Sequence, residues 1–175
     1  MGTRPGSLDP GMLLWLLRSQ HLSLADLDTD LEKHSGLLGM AGSSDMSELV
    51  ASSSERAALA VEVYLHRLVG SIASMAAAMN GMDTLVFTGG VGENSASIRS
   101  RVADRLAFMG VAVDRELNES NPADVEIAPA GAGVHTLVVQ SPAKTSRSRG
   151  RCANTWVRRI AAVAGRPWSV GAEGG

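Results

Sequence analysis

The stretch Thr84-Leu85-Val86-Phe87-Thr88-Gly89-Gly90-Val91-Gly92-Glu93-Asn94-Ser95 constrains this chain more than any other. An apolar run ends in three glycines, and a helical pattern begins just beyond them. Leu85, Val86 and Phe87 leave no polar face, so the run reads as a buried strand. Glycines tolerate positive φ and let the backbone approach a ligand closely. Asn94 or Ser95 can cap a helix running to about Met109, with Ile98, Val102, Leu106 and Met109 as its apolar stripe. The N–H groups and dipole at such a helix start favour an anionic or polar ligand. A tight strand-to-helix connection with no ligand satisfies the same spacing, because Gly-Gly-x-Gly alone is a weak motif.

The chain of 175 residues is 45% hydrophobic, enough for one domain with a real core. Its one cysteine, Cys152, excludes an intramolecular disulfide and any multi-cysteine metal site. His21, His34, His66 and His135 show no ligand spacing, so no metal site is expected from them. No run resembles a signal peptide or a membrane span, and a cytoplasmic protein without a membrane partner is the default expectation. Charge divides the chain. Residues 1–143 carry 9 Lys+Arg and 17 Asp+Glu, a net of −8, whereas residues 144–175 carry 7 Lys+Arg and one acid, a net of +6. An acidic body of this kind argues against nucleic acid as a partner. The division expected is a folded domain over 1–143 and a basic, flexible tail over 144–175.

Read in order, Met1 to Gly11 forms a loop ending at a helix start, with Asp9 as N-cap and Pro10 as first helical residue. That helix reaches roughly Gln20 and carries Leu13, Leu14, Leu16 and Leu17, with Trp15 as a packing residue. Ser23 and Asp26 open a second helix with the stripe Leu24, Leu27 and Leu31. His34 falls at its C-terminus, where it compensates the dipole. Residues 35–46 read as an irregular glycine-rich loop. In it Asp45 can accept hydrogen bonds from a ligand or cap the turn that follows. The longest helix covers about 54–80, with Ser52 and Glu55 as a capping box and the stripe Val61, Tyr64, Leu65, Leu68, Ile72 and Met75. Asn80-Gly81 stops it. A short strand at 111–113, a turn-heavy loop at 114–133 and a strand from Val134 to Val139 complete an α/β pattern that favours parallel pairing. In the tail, Asn154 to Ala164 has a short helical pattern. Arg4 reads either as a surface arginine or as a bidentate clamp for a phosphate or carboxylate.

These residues resemble the carboxyl-terminal part of the acetate kinase family, with its propionate and butyrate kinase relatives. Met1 to Pro10 is similar to the family's Met-Gly-Thr-Arg-x-Gly-x-x-Asp-Pro. Ser35 to Leu49 is similar to its Ser-Gly-x-x-Gly-x-Ser-Gly…Asp-x-Arg-Asp loop, and Phe87 to Ser95 to its Phe-Thr-x-Gly-x-Gly-Glu-Asn-Ser. The resemblance implies a partial actin- and sugar-kinase-like (ribonuclease H-like) α/β domain, with several long helices packed on a short sheet. It implies reversible phosphoryl transfer between ATP and a short carboxylate, with Mg²⁺ organising the phosphates. Arg4 would be the catalytic arginine that stabilises the transferring phosphoryl group. Asp45, Met46 and Ser47, together with Gly89, Gly90, Val91, Gly92, Glu93 and Asn94, would bind the adenine nucleotide. A homodimer formed through this half is also implied.

The match has gaps. Ser47 stands where the family has an arginine, and a serine offers neither its charge nor its fork. Ser141-Pro142-Ala143-Lys144-Thr145 replaces a Thr-x-Glu-Glu-like segment whose acid assists the metal. The family's amino-terminal domain is not represented, so the expectation is an incomplete fragment that is inactive alone. A non-enzymatic nucleotide-binding or dimerisation module and one half of a split acyl kinase are the alternatives.

Overall fold

The computed structural model describes residues 1–19, 22–120 and 124–140. In chain order the elements are α1 (Pro10–Ser19), α2 (Leu24–Lys33), α3 (Gly36–Ala41), α4 (Met46–Ala51), α5 (Glu55–Ala78), β1 (Thr84–Phe87), α6 (Gly89–Asn94), α7 (Ala96–Arg105), α8 (Arg115–Glu119), β2 (Val125–Glu126) and β3 (His135–Val138). A 3₁₀ turn, Ala107–Met109, lies between α7 and α8. The chain forms two compact units, Met1–Leu68 and Val69–Gly175.

In the first unit α1 begins where expected, with Asp9 Oδ1 accepting from the Met12 N–H at 3.2 Å. Its apolar side chains are less covered than expected. Leu14 and Trp15 are 52% and 54% exposed, so Trp15 is not a packing residue within the described residues. Six consecutive apolar residues, Met12 to Leu17, wrap the whole circumference of a helix, and one packing face cannot bury them all. Ser23 caps α2: its Oγ accepts from the Asp26 N–H (3.1 Å) and donates to Asp26 Oδ2 (2.6 Å). Leu27 is buried, but Leu24 is 74% exposed and falls out of the expected stripe. At the first helical position its side chain points back past the helix end. His34 is the C-cap residue, with Nδ1 3.0 Å from Asp30 Oδ1.

The glycine-rich residues 35–46 are a loop only in part, over 42–45 between α3 and α4. Leu37, Leu38, Met40 and Ala41 support α3, which stops at Gly42 in the left-handed region (φ 79°). Helix α5 is the longest element, and its buried positions are Ala57, Ala60, Val61, Leu65 and Ala76. Met75 is 58% exposed rather than part of the stripe. Ser52 Oγ accepts from the Ser54 N–H (3.2 Å), one residue short of the capping box expected with Glu55. The C-terminus of α5 closes as a Schellman motif. The Gly81 N–H reaches Ala76 O (2.9 Å), the Asn80 N–H reaches Ala77 O (3.2 Å), and Asn80 takes the left-handed conformation (φ 59°).

The second unit is built on a three-stranded sheet in the order β1-β3-β2. β1 and β3 are parallel, in register from Thr84 with His135 to Phe87 with Val138, and β2 runs antiparallel to β3. Parallel pairing was expected; the antiparallel edge was not. β1 is buried on one side only: Leu85 and Phe87 are buried, while Thr84 and Val86 are half-buried. The strand's period of two sends Val86 to the opposite face, whatever its hydrophobicity. Ile98, Val102 and Leu106 bury the expected face of α7, but the helix gives way to the 3₁₀ turn before Met109.

Residues 111–113 form no strand. Their neighbours make only isolated backbone bonds, Val134 N–H to Gly110 O (3.1 Å) and Asp114 N–H to Ile127 O (2.7 Å). The loop expected over 114–133 holds α8, capped by Asp114 Oδ1 on the Leu117 N–H (2.9 Å), and β2. The tail from residue 144, with its helical pattern at 154–164, lies outside the described residues, as do His21 and the 141–145 segment.

Candidate functional site

The glycine run that leaves β1 is helical, not a loop. Thr88 is extended (φ −151°, ψ 171°), Gly89 turns the chain at φ 74°, and α6 follows at once. Side chains within the segment tie it to itself. Glu93 Oε1 accepts from the Gly89 N–H (2.7 Å) and from the Thr88 hydroxyl (3.4 Å), and Asn94 Nδ2 donates to Gly90 O (2.8 Å). The glycines do different work. A methyl group on Gly92 would come within 3.2 Å of the Phe87 carbonyl carbon, so Gly92 lets the helix lie against the end of β1. A methyl on Gly89 or Gly90 would meet no atom within 4 Å, which leaves that side of the backbone open.

Beneath α6 lies a polar cluster that the sequence reading missed. Arg99 of α7 is completely buried. Its Nη1 donates to the carbonyls of Gly92 and Glu93, both at 2.9 Å. Its Nε donates to Asn118 Oδ1 (2.7 Å) and its Nη2 to Asn118 O (2.9 Å). Asn118 of α8, also buried, donates through Nδ2 to Ala96 O (2.9 Å) and Ser100 Oγ (2.8 Å). Burial lowers the Arg99 pKa from its ordinary value, since the charged form loses hydration. A polar residue inside a helix normally reads as a solvent-facing position. The signal available was spacing: Arg99 follows Ile98 directly and precedes Val102 by three, within the buried arc of α7.

In the first unit, the residues that carry Arg4 are tied to the start of α3. The carbonyls of Met1, Gly2 and Thr3 accept from the N–H groups of Leu37, Leu38 and Ser35, each at 2.9 Å. Gly36 makes this possible: it adopts φ 63°, and any Cβ there would collide with Met1 O and Arg4 O. The Arg4 guanidinium meets Glu32 Oε2 at 2.7 Å, with the two side chains 67% and 50% exposed. Asp45 is exposed and caps α4, its Oδ1 accepting from the Ser47 N–H at 2.8 Å. That bond, and then the Ser47 hydroxyl, hold the Asp45 carboxyl below its usual range. Ser47 is exposed, whereas Met46 is a buried packing residue. Arg4, Asp45, Met46 and Ser47 thus belong to the first unit, and Gly89 to Asn94 to the second. Among the described residues, no group of three His, Cys, Asp or Glu side chains could hold a metal ion. No described helix is long and apolar enough to cross a membrane.

The sequence profile of the Acetokinase family matches residues 1–145. The chain belongs to the acetokinase family. It is 40% identical over 141 residues to the acetate kinase of Protochlamydia amoebophila, which covers 81% of this chain and 36% of that relative. Among solved structures it is similar to the acetate kinase of Porphyromonas gingivalis, with a TM-score of 0.75 and 39% identity over 81% of this chain and 37% of that one. A propionate kinase from Francisella tularensis gives a TM-score of 0.74 and 34% identity, over 81% and 37% of the two chains. The acetokinase architecture seen here is accordingly a partial actin- and sugar-kinase-like α/β domain, with helices packed on a small sheet. The chain spans a little over a third of the length of these relatives.

Proposed function

We propose that this chain supplies the nucleotide side of an acetate-kinase-type phosphotransferase and corresponds to the carboxyl-terminal third of the full-length relatives. Aligning residues 1–145 along a full-length relative tests the second point, and a match to its first third overturns it. The observation that carries the first is α6, where Gly89 and Gly90 present backbone with open space above it while Gly92 packs the same helix onto β1. A flat base can approach such a surface closely. Gly89, Gly90, Val91, Gly92, Glu93 and Asn94 would line the adenosine site. In the first unit Asp45 and Ser47, exposed at the start of α4, would be the nucleotide contacts, and the buried Met46 would hold them in place.

In the reaction, a carboxylate oxygen of acetate or a similar short acid attacks the γ-phosphorus of ATP. The bond to the β,γ-bridging oxygen breaks, and ADP leaves as the acyl phosphate forms. Arg4 would place its guanidinium on the equatorial oxygens of the phosphoryl group. Its present partner does not prevent this. An exposed arginine–carboxylate pair is worth only about 0–1 kcal/mol, so exchanging Glu32 for a phosphoryl group costs little. Ser47 would contribute a hydroxyl where the family places an arginine, which predicts weaker hold on the nucleotide. Magnesium is implied by the family, but the described residues form no group of three His, Cys, Asp or Glu side chains to hold it. The domain is taken to end near residue 143. A cytoplasmic setting and a homodimer are part of the same proposal; a monomer at all concentrations in sedimentation would overturn the dimer.

In-line transfer needs both substrates held in place. We therefore expect the 175-residue chain to bind ADP without producing acyl phosphate. Calorimetry with ADP and hydroxamate trapping of acyl phosphate, with the Porphyromonas gingivalis enzyme as control, test the two halves separately. No ADP binding at millimolar concentration overturns the nucleotide reading. Acyl phosphate made by the chain alone overturns its incompleteness.

A further inference from the structure

We propose that Arg99, locked by Asn118, is the positioning residue that fixes the α6 backbone and thereby shapes the proposed nucleotide-binding surface. The consequence for nucleotide binding rests on the function proposed above; the clamp itself does not. Helix α6 has six residues, three of them glycine, and so little intrinsic stability. Its last carbonyls have no helical partner. Arg99 supplies donors to two of them, at Gly92 and Glu93, and brings positive charge to the helix C-terminus. The other side of the guanidinium is gripped by Asn118 through both its side chain and its carbonyl. Asn118 is itself anchored at both ends of its amide to α7. The fork is therefore held in one orientation, and α6 is held to it.

The residue type matters. A planar guanidinium donates in two directions at once, toward α6 and toward Asn118. A lysine ammonium at the end of a flexible stem cannot keep all these bonds together. Burying an arginine is also a costly way to fill space that an apolar side chain would fill more readily. What the cluster provides is a fixed backbone in a segment whose glycines would otherwise leave it mobile. A ligand then need not order α6 as it binds.

The test uses the 175-residue chain with Arg99→Lys and Asn118→Ala. The readouts are amide hydrogen exchange, compared between Gly89–Asn94 and β3, and ADP affinity by calorimetry. In both variants exchange across Gly89–Asn94 should accelerate at least about tenfold while β3 stays protected, and ADP should bind at least about tenfold more weakly. Lysine keeps the charge, so wild-type affinity in Arg99→Lys would mean that charge suffices and would overturn the positioning role. Unchanged exchange at Gly89–Asn94 in both variants would overturn the clamp. Should either variant lose β3 protection, Ser100→Ala carries the test, because it removes only one anchor of the Asn118 amide. Faster exchange confined to Gly89–Asn94 then supports the clamp, and unchanged exchange there overturns it. If the unsubstituted chain binds no ADP, the nucleotide reading and the functional half of this proposal fall, while exchange still decides the structural half.

Discussion

Gly36, Gly90 and Gly92 look alike in the sequence and have different duties in the fold. At Gly36 a side chain is opposed by φ 63° and by two carbonyl oxygens of the amino-terminal loop. Gly36→Ala should cost at least about 1–2 kcal/mol from the left-handed backbone alone, with the collision adding to it. Urea denaturation reads the loss, and faster exchange at Ser35, Leu37 and Leu38 would locate it. At Gly92 a methyl group presses on the Phe87 carbonyl carbon, so Gly92→Ala should lose about 1–3 kcal/mol by overpacking. Gly90→Ala meets open space in a helix and should gain about 0.5–1 kcal/mol. The same methyl would stand where the nucleotide is proposed to lie, so stability should rise while ADP affinity falls. ADP affinity unchanged in Gly90→Ala would count against that site.

Among the elements, caps were the most legible feature. Asp9, Ser23 and Ser95 each accept from the N–H three residues on, because a cap needs only local geometry. The position of Asp45 in the sequence suits a ligand contact or a cap equally, and in the structure it caps α4. Its carboxyl is held below the usual range by bonds to the ionised form. The contribution to α4 is therefore complete above the ordinary aspartate pKa of about 4 and is lost as pH falls through the depressed folded value. The Ser47 amide proton, followed by NMR across an acid titration, should shift with that lower midpoint. A midpoint at or above the ordinary value would contradict the assignment. Short helices were the hardest to read. α3, α6 and α8 have six, six and five residues, too few for a periodicity to emerge, and glycine content pointed to loops in the first two.

For the molecule as a whole, residues 1–145 match a family in which the Protochlamydia amoebophila acetate kinase is nearly three times as long as the matched stretch. Mixing the purified chain with the remaining part of a relative's polypeptide should restore acyl phosphate formation if it is a kinase part. Continued silence in a mixture that does associate would favour a binding module. The acidic body and basic tail differ in charge, and the proposed boundary makes a further prediction. Truncation after residue 143 should leave ADP affinity within about twofold, as expected for changes away from a binding surface. A larger loss would bring the tail into the site.

The sequence by itself determined ancestry, the α/β class, the long helix, the strand at Thr84 to Phe87 and the caps. Each of these rests on residues close in the chain or on motifs whose order survives without coordinates. Only the tertiary structure decided that Trp15 and Leu24 stand exposed, that Met46 is core, that an antiparallel edge strand joins the sheet and that Arg99 is buried. Those outcomes depend on what surrounds a side chain in space, and no local pattern encodes it. The glycine run shows both sides. Its residue types announced a close backbone approach, but the short helix it forms is held by an arginine and an asparagine nineteen residues apart.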